Sequence, residues 1–215
     1  VDLSKDQSYV LYSLTQDQLA HVQFPLGGMH KTDAREIAET QGFINARKHD
    51  SQDICFVPDG DYAKFIEKYT GKKTPEGDFV DKEGKYIGRH KGIIHYTIGQ
   101  RRGLGIPAAS RLYVCEIFPK TNTVVLGDNS DLFSSELEAD SVNLISVADL
   151  SEPKRVTAKI RYRHKEQPAI AWQTPDGILH VRFDEPQRAI TKGQAVVMYD
   201  GNEVVGGGVI NKIYN

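Results

Sequence analysis

The last third of the chain constrains the fold more than any other part. From about residue 137 to 213 it reads as six short runs, near 137–146, 154–164, 168–174, 178–184, 194–199 and 203–213. Pro175-Asp176-Gly177 and Asp200-Gly201-Asn202 sit between neighbouring runs and supply turn chemistry there. Period-two alternation turns one face of each run inward. Six strands at this spacing predict a small closed or nearly closed β-barrel.

Ahead of the barrel the period is helical. Ser4 and Gln7 have capping-box spacing, as do Thr15 and Gln18, which predicts short helices over about 5–14 and 16–23. These stop near Pro25 and Gly27-Gly28. Thr32 is the expected cap of a third helix, with Ile37 and Ala38 inward and Gly42 past its end. Asp61 to Tyr69 reads as another, with Tyr62, Phe65 and Ile66 on one face and Gly71 ending it. Two hairpins follow, 77–81 with 86–90 and 111–118 with 123–127. Cys115 lies mid-strand in the second and reads as structural. The polar stretch from Asp128 to Glu136 is the expected domain boundary. The result is an α+β fold, a small helical and β central domain at 1–130 followed by an all-β barrel domain at 131–215.

Length and composition limit the function classes. A chain of 215 residues with a formal net charge of −2 can bury one large core or two small ones. No apolar run approaches membrane-spanning length, and VDLSKDQSYV lacks the signal-peptide pattern. The missing initiator Met suggests a fragment or a processed chain. Two cysteines, 55 and 115, are too few for a disulfide-built secreted domain, which predicts a reducing cytoplasm. With no C-x-x-C and no His cluster, no metal site is expected.

Charge is unevenly placed. Between Gly84 and Cys115 there is no acid, while Lys85, Arg89, Lys91, Arg101, Arg102 and Arg111 are basic. An acid-free basic segment suits an anionic partner, or a merely solvated face. Within it, His95 to Pro107 (HYTIGQRRGLGIP) does not read as core. Gly99, Gly103 and Gly105 permit close approach, and Arg101 and Arg102 bind phosphate well. The spacing matches no nucleotide fingerprint, and a structural glycine-rich turn is the other reading. A second basic element is Lys154 to His164. There Val156, Ala158, Ile160 and Tyr162 alternate inward, and Lys159, Arg161 and Arg163 share the other face. Residues i and i+2 of a strand stand about 7 Å apart, near the spacing of phosphates. This predicts a backbone-binding rail, or an edge strand kept soluble by charge. The same alternation sends Arg161 and Tyr162 to opposite faces.

The candidate chemistry lies in Ala46 to Val57. Cys55 follows Arg47, Lys48 and His49, with Asp50 and Asp53 close by and Ile54, Phe56 and Val57 as an apolar wall. Cations favour the reactive thiolate, while carboxylates and apolar neighbours oppose it. These residues leave open whether Cys55 is reactive or an inert buried thiol.

Several segments taken together resemble the tRNA-specific 2-thiouridylases. They are KDQSYVLYSL (5–14), RKHDSQDICFV (47–57), GRHKGIIHYTIGQRRGLGI (88–106), KIRYRH (159–164), FDEPQRAITKGQAVVMYDG (183–201) and GGGVI (206–210). The resemblance runs from end to end. It implies the family's central and C-terminal β-barrel domains, without the N-terminal domain that binds ATP through a pyrophosphatase loop; no S-G-G-x-D-S occurs here. It implies a sulfurtransferase that thiolates position 2 of the wobble uridine of tRNA. ATP activates the base by adenylation, and a cysteine persulfide, loaded by a sulfur-carrier protein, delivers the sulfur. A second cysteine releases that sulfur and leaves a disulfide. Cys55 matches the persulfide cysteine, and its partner belongs to the absent domain, so this chain is expected to be inactive alone. Lys5, Asp6, Gln7, Arg161, Tyr162 and Gln194 match tRNA-contacting positions, to which the loop adds Arg101 and Arg102. If Arg161 and Tyr162 both touch RNA, their strand must twist, bulge or end there. The competing expectations are a non-catalytic RNA-binding β-barrel with an incidental cysteine, and a thiol redox sensor.

Overall fold

A computed structural model describes residues 2–48, 56–57, 59–108 and 110–214. In order, a 3-10 turn (Leu3–Lys5) precedes helices α1 (Ser8–Leu11), α2 (Gln16–His21), α3 (Lys31–Thr40) and α4 (Tyr62–Thr70). Then come β1 (Gly77–Val80), β2 (Tyr86–His90), β3 (Tyr113–Phe118) and β4 (Thr123–Gly127). The remaining strands are β5 (Phe133–Leu144), β6 (Lys154–Lys159), β7 (Gln167–Gln173), β8 (Leu179–Arg188), β9 (Ala195–Asp200) and β10 (Glu203–Tyr214). The last six close a barrel in the order β10-β5-β8-β7-β6-β9, as the turn spacing predicts.

Packing sorts the chain into two units. The first holds Val1–Gln52, Glu138–Arg182 and Gly193–Asn211, and the second Asp53–Leu137, Phe183–Lys192 and Lys212–Asn215. Chain order and packing therefore differ: β5, β8 and β10 each run from one unit into the other.

In the first unit Val156, Ala158 and Ile160, which alternate inward on and just past β6, are almost fully buried, while on β9 the consecutive residues Val196, Val197 and Met198 are buried on both faces of the strand. Close strand approach needs small residues: a Cβ on Gly207 would lie 2.4 Å from the carbonyl oxygen of Val196 and 2.7 Å from the Tyr12 ring. The N-terminal helices contrast with this. Neither α2 nor α3 has a buried residue. Thr15 and Gln18 form the expected capping box. The box expected at Ser4 and Gln7 does not form. Asp2 caps the 3-10 turn instead, and Gln7 makes no side-chain cap for α1. The predicted 5–14 helix is thus two short pieces, broken where Asp6 accepts the Ser8 amide and hydroxyl. The cap of α3 is His30 rather than Thr32, because Asp33 reaches back to the His30 amide.

In the second unit, β1 and β2 form the first predicted hairpin and β3 and β4 the second. Parallel pairing of β1 with β4 joins them into one sheet, ordered β2-β1-β4-β3. Its core is Phe79, Tyr96, Leu104, Val114, Val124 and Leu126. Asp61 caps α4 through the Lys64 amide, and Gly71 ends it in the left-handed region.

Candidate nucleic-acid interface

Tyr162 is the hinge of the first unit's polar surface. β6 ends at Lys159, and residues 161–163 form a turn closed by the His164 amide on the Arg161 carbonyl, 3.0 Å. This corrects the expected strand to residue 164 and the rail of Lys159, Arg161 and Arg163. Buried Ile160 plugs the strand into the barrel, and the chain then leaves the strand geometry. Arg161 and Tyr162 are consequently neighbours on a turn, which removes the conflict over faces.

The Tyr162 hydroxyl accepts a hydrogen bond from Gln7 Nε2 at 2.6 Å and donates to the Asp6 carbonyl at 3.2 Å. Lys5 is exposed beside them, its carbonyl 3.4 Å from the same Gln7 amide. Gln194 is exposed at the start of β9, its carbonyl held by the Ile210 amide at 2.8 Å. The next residue, Ala195, accepts from the Tyr9 hydroxyl at 2.9 Å. Three stretches of sequence thus meet: 5–9, 161–162 and 194–195.

Beneath them, Tyr9, Val197 and Tyr199 form a buried cluster with Tyr12, Ala195 and Val204 against it. Burial pushes the Tyr9 and Tyr199 phenols up to about 12, so both stay protonated at neutral pH. The charge of Arg161 acts on Tyr9 in the opposite sense, and Lys159 lies over the Tyr199 ring, 5.8 Å from its centroid. A helix over 5–14 gives Tyr9 no role beyond packing, and a strand over 194–199 gives Tyr199 none either. Their signal was present: Tyr9 stands inside KDQSYVLYSL and Tyr199 inside FDEPQRAITKGQAVVMYDG.

Arg101 and Arg102 belong to the second unit. The loop from His95 to Pro107 was expected to stand off the core, and the structure corrects this. Tyr96 and Leu104 are core residues, with Ile98 and Ile106 packed on them. Gln100 ties the loop shut: its side-chain oxygen accepts from the Thr97 amide at 3.0 Å and its Nε2 donates to the Arg102 carbonyl at 2.9 Å. Gly99 has a φ of 83° and closes a ladder to Val114, donating to its carbonyl at 2.8 Å. The two arginines are left exposed at the tip, and among the described residues neither has a carboxylate partner. The rest of the acid-free segment is less basic in space than in sequence, since Arg89 pairs with Asp78 at 3.2 Å and Glu76 at 3.7 Å.

Cys55 lies outside the described residues. Cys115 is half-buried on β3, and burial, then the Asp131 carboxylate, pushes its thiol up to about 11. It is a neutral packing group at pH 7, poorly suited to nucleophilic work.

The starts of α3 and α4 and the glycines of β10 offer no free cradle for ATP. A triphosphate needs free amides or cations converging at a helix start or a glycine cradle. Here the first amide of α3 donates to the Asp2 carboxylate at 3.1 Å, and Asp61 caps α4 at 3.0 Å. Gly206, Gly207 and Gly208 lie inside β10, where the space a Cβ needs is filled by backbone oxygens.

Three family models match consecutive stretches of the chain. Residues 1–59 match a tRNA methyl transferase HUP domain, 63–128 a tRNA methyl transferase PRC-barrel domain, and 134–210 an aminomethyltransferase β-barrel domain. The Cys55 stretch therefore falls within the HUP match. The chain is 54% identical over 208 residues to a tRNA-specific 2-thiouridylase MnmA of Clostridioides difficile, and 52% identical over 210 residues to one of Acetivibrio thermocellus. These alignments take in 97% and 98% of this chain and 58% of each relative, so the chain spans little more than half the length of these curated proteins.

Proposed function

Because the chain belongs to the tRNA-specific 2-thiouridylase family, we propose that it carries the tRNA-gripping and sulfur-relaying part of a cytoplasmic sulfurtransferase. In this reading the exposed groups of Lys5, Gln7 and Gln194, with the half-buried Arg161, hold the tRNA. Cys55 would take up a persulfide sulfur from a carrier protein; the C2 oxygen of the wobble uridine, adenylated at the expense of ATP, would leave with AMP as that sulfur bonds to C2, and a second thiol would take Cys55 into a disulfide. The terminal sulfur of a persulfide is a good donor because its S–S bond yields to attack by a second thiol. ATP enters only as a cofactor bound by a part of the relatives that this chain does not match.

The observation that supports the reading is the convergence of residues 5–9, 161–162 and 194–195 on one surface. Hydrogen bonds link them across 155 and 186 positions of sequence. Three remote segments that each resemble a tRNA-contacting stretch would have no reason to meet if those resemblances were unrelated. The side chains are polar or cationic, and those of Lys5, Gln7 and Gln194 are exposed, as contacts to an RNA backbone require.

The test is Cys55→Ser in the full-length protein. Thiolation of tRNA is expected to vanish while tRNA affinity stays within about twofold. A persulfide, seen as the added mass of one sulfur on Cys55, is expected in the wild-type protein caught in turnover. Continued thiolation by the serine variant would refute the relay and leave an RNA-binding module.

A further inference from the structure

One buried side chain touches all three segments of the proposed RNA surface. Tyr9 is 8% exposed. It follows Gln7 by two positions. Its ring meets Tyr162 edge-on, centroids 6.1 Å apart, and its hydroxyl donates to the carbonyl of Ala195, the residue after Gln194. It clusters with Val197 and Tyr199, core residues of β9, with Tyr12 and Val204 packed against them.

We propose that Tyr9 is a positioning residue for RNA binding: it fastens Lys5, Asp6 and Gln7 to the barrel, so that the three segments meet the RNA as one preformed surface. This rests on the tRNA reading above. Local structure alone cannot hold residues 5–7. Lys5 ends a three-residue 3-10 turn and Asp6 and Gln7 link it to the four-residue α1, and helices this short do not persist in water without tertiary contacts. A segment that must be ordered on binding weakens the complex by the cost of ordering it, and anchoring it beforehand removes that cost. Tyr9 supplies the anchor in two parts, a ring buried against β9 and a directional bond to Ala195. Ser8 adds a weaker one, its hydroxyl 3.3 Å from that of Tyr199. The Tyr162 hydroxyl then joins the anchored segment to the Arg161 turn through Gln7 and Asp6.

Tyr9→Phe keeps the ring and deletes the bond to Ala195. In the full-length enzyme it is expected to raise KM for tRNA about three- to tenfold, the range of one net hydrogen bond, with kcat changed by less than about twofold. A role in folding alone would instead lower kcat through loss of active molecules and leave KM in place. The Tyr9→Phe penalty is also expected to shrink in a Gln7→Ala background, where part of what Tyr9 positions is gone. An unchanged KM, a fall in kcat alone, or equal penalties in both backgrounds would overturn the proposal. Gln7→Ala and Arg161→Gln, measured singly for tRNA affinity, separate the two layers. If both bind like wild type, the RNA surface is wrong and Tyr9 falls with it. If both weaken while Tyr9→Phe does not, only the positioning role is lost.

Discussion

The surface around Tyr9 and the loop that carries Arg101 and Arg102 present similar chemistry from opposite constructions. The first joins segments 155 and 186 positions apart, and a buried tyrosine cluster holds them. The second is one contiguous stretch. It is tied by its own Gln100 and seated by Tyr96 and Leu104 on a core formed with β1, β3 and β4. A surface of the first kind exists only when the barrel is folded and offers groups at fixed spacing, which suits recognition of shape. A loop of the second kind offers two exposed guanidiniums, which attract any phosphate backbone. If both meet RNA, the first should govern which RNA is held, while the salt dependence should come from Arg101 and Arg102 as well as from Lys5 and Arg161 of the first surface.

The largest break in this comparison comes from Gly207. Adding a methyl there drives Cβ against the Val196 carbonyl at 2.4 Å and the Tyr12 ring at 2.7 Å. Backbone cannot yield as a flexible side chain does, so Gly207→Ala should destabilise the first unit by about 3 kcal/mol, the upper range for overpacking. Tyr12 packs on the Tyr9 cluster, and its carbonyl accepts from Asn143 Nδ2 at 2.6 Å, so the strain reaches the composite surface directly. Urea denaturation should show the loss. Unchanged stability would mean that β9, β10 and Tyr12 have room this structure does not show.

Next in size is an alkaline effect. Tyr9 and Tyr199 are pushed up to about 12 by burial, from about 10 in an unfolded chain. The folded state then holds its phenol protons more tightly than the unfolded state does. By linkage their contribution is complete below pH 10 and declines as pH rises from 10 towards 12. By pH 12 each tyrosine should cost roughly 2 kcal/mol of stability. Denaturation midpoints at pH 8 and 11 should fall apart, and Tyr199→Phe should narrow that gap.

The barrel was legible in the sequence because its signals are local. Turn residues at 175–177 and 200–202 and inward alternation at Val156, Ala158 and Ile160 need no knowledge of distant partners. Both hairpins of the other unit were legible for the same reason, but the parallel pairing of β1 with β4 that joins them was not, since nothing in either strand names its neighbour. At the candidate site, the resemblance pointed to residues 5–7, 161–162 and 194, while alternation misplaced two of them. It carried β6 on through Arg161 and Tyr162, although buried Ile160 ends the barrel's claim on the chain. Tyr9 was invisible as an anchor because helical periodicity gives an inward tyrosine no reason to be anything but core. The loop misled in the other direction. Its glycines and arginines read as a free phosphate loop, yet Tyr96, Ile98, Leu104 and Ile106 alternate with them and fasten it down.

The smallest effect is the one that sharpens the comparison most. Arg101→Gln and Arg102→Gln each remove one charge from the loop tip without touching the Gln100 bonds that shape it. If each arginine neutralises a phosphate, each change should lower the magnitude of the slope of log affinity against log salt by somewhat less than about one unit. The loss of affinity should be small at high salt, where that contribution is screened. Gln7→Ala is neutral to neutral, so it should lower affinity by a similar factor at every salt concentration and leave the slope alone. Filter binding of tRNA over a salt series distinguishes the two patterns. Should Gln7→Ala flatten the slope, or the arginine variants leave it unchanged, the assignment of shape to Gln7 and of charge to the loop arginines would be reversed or void.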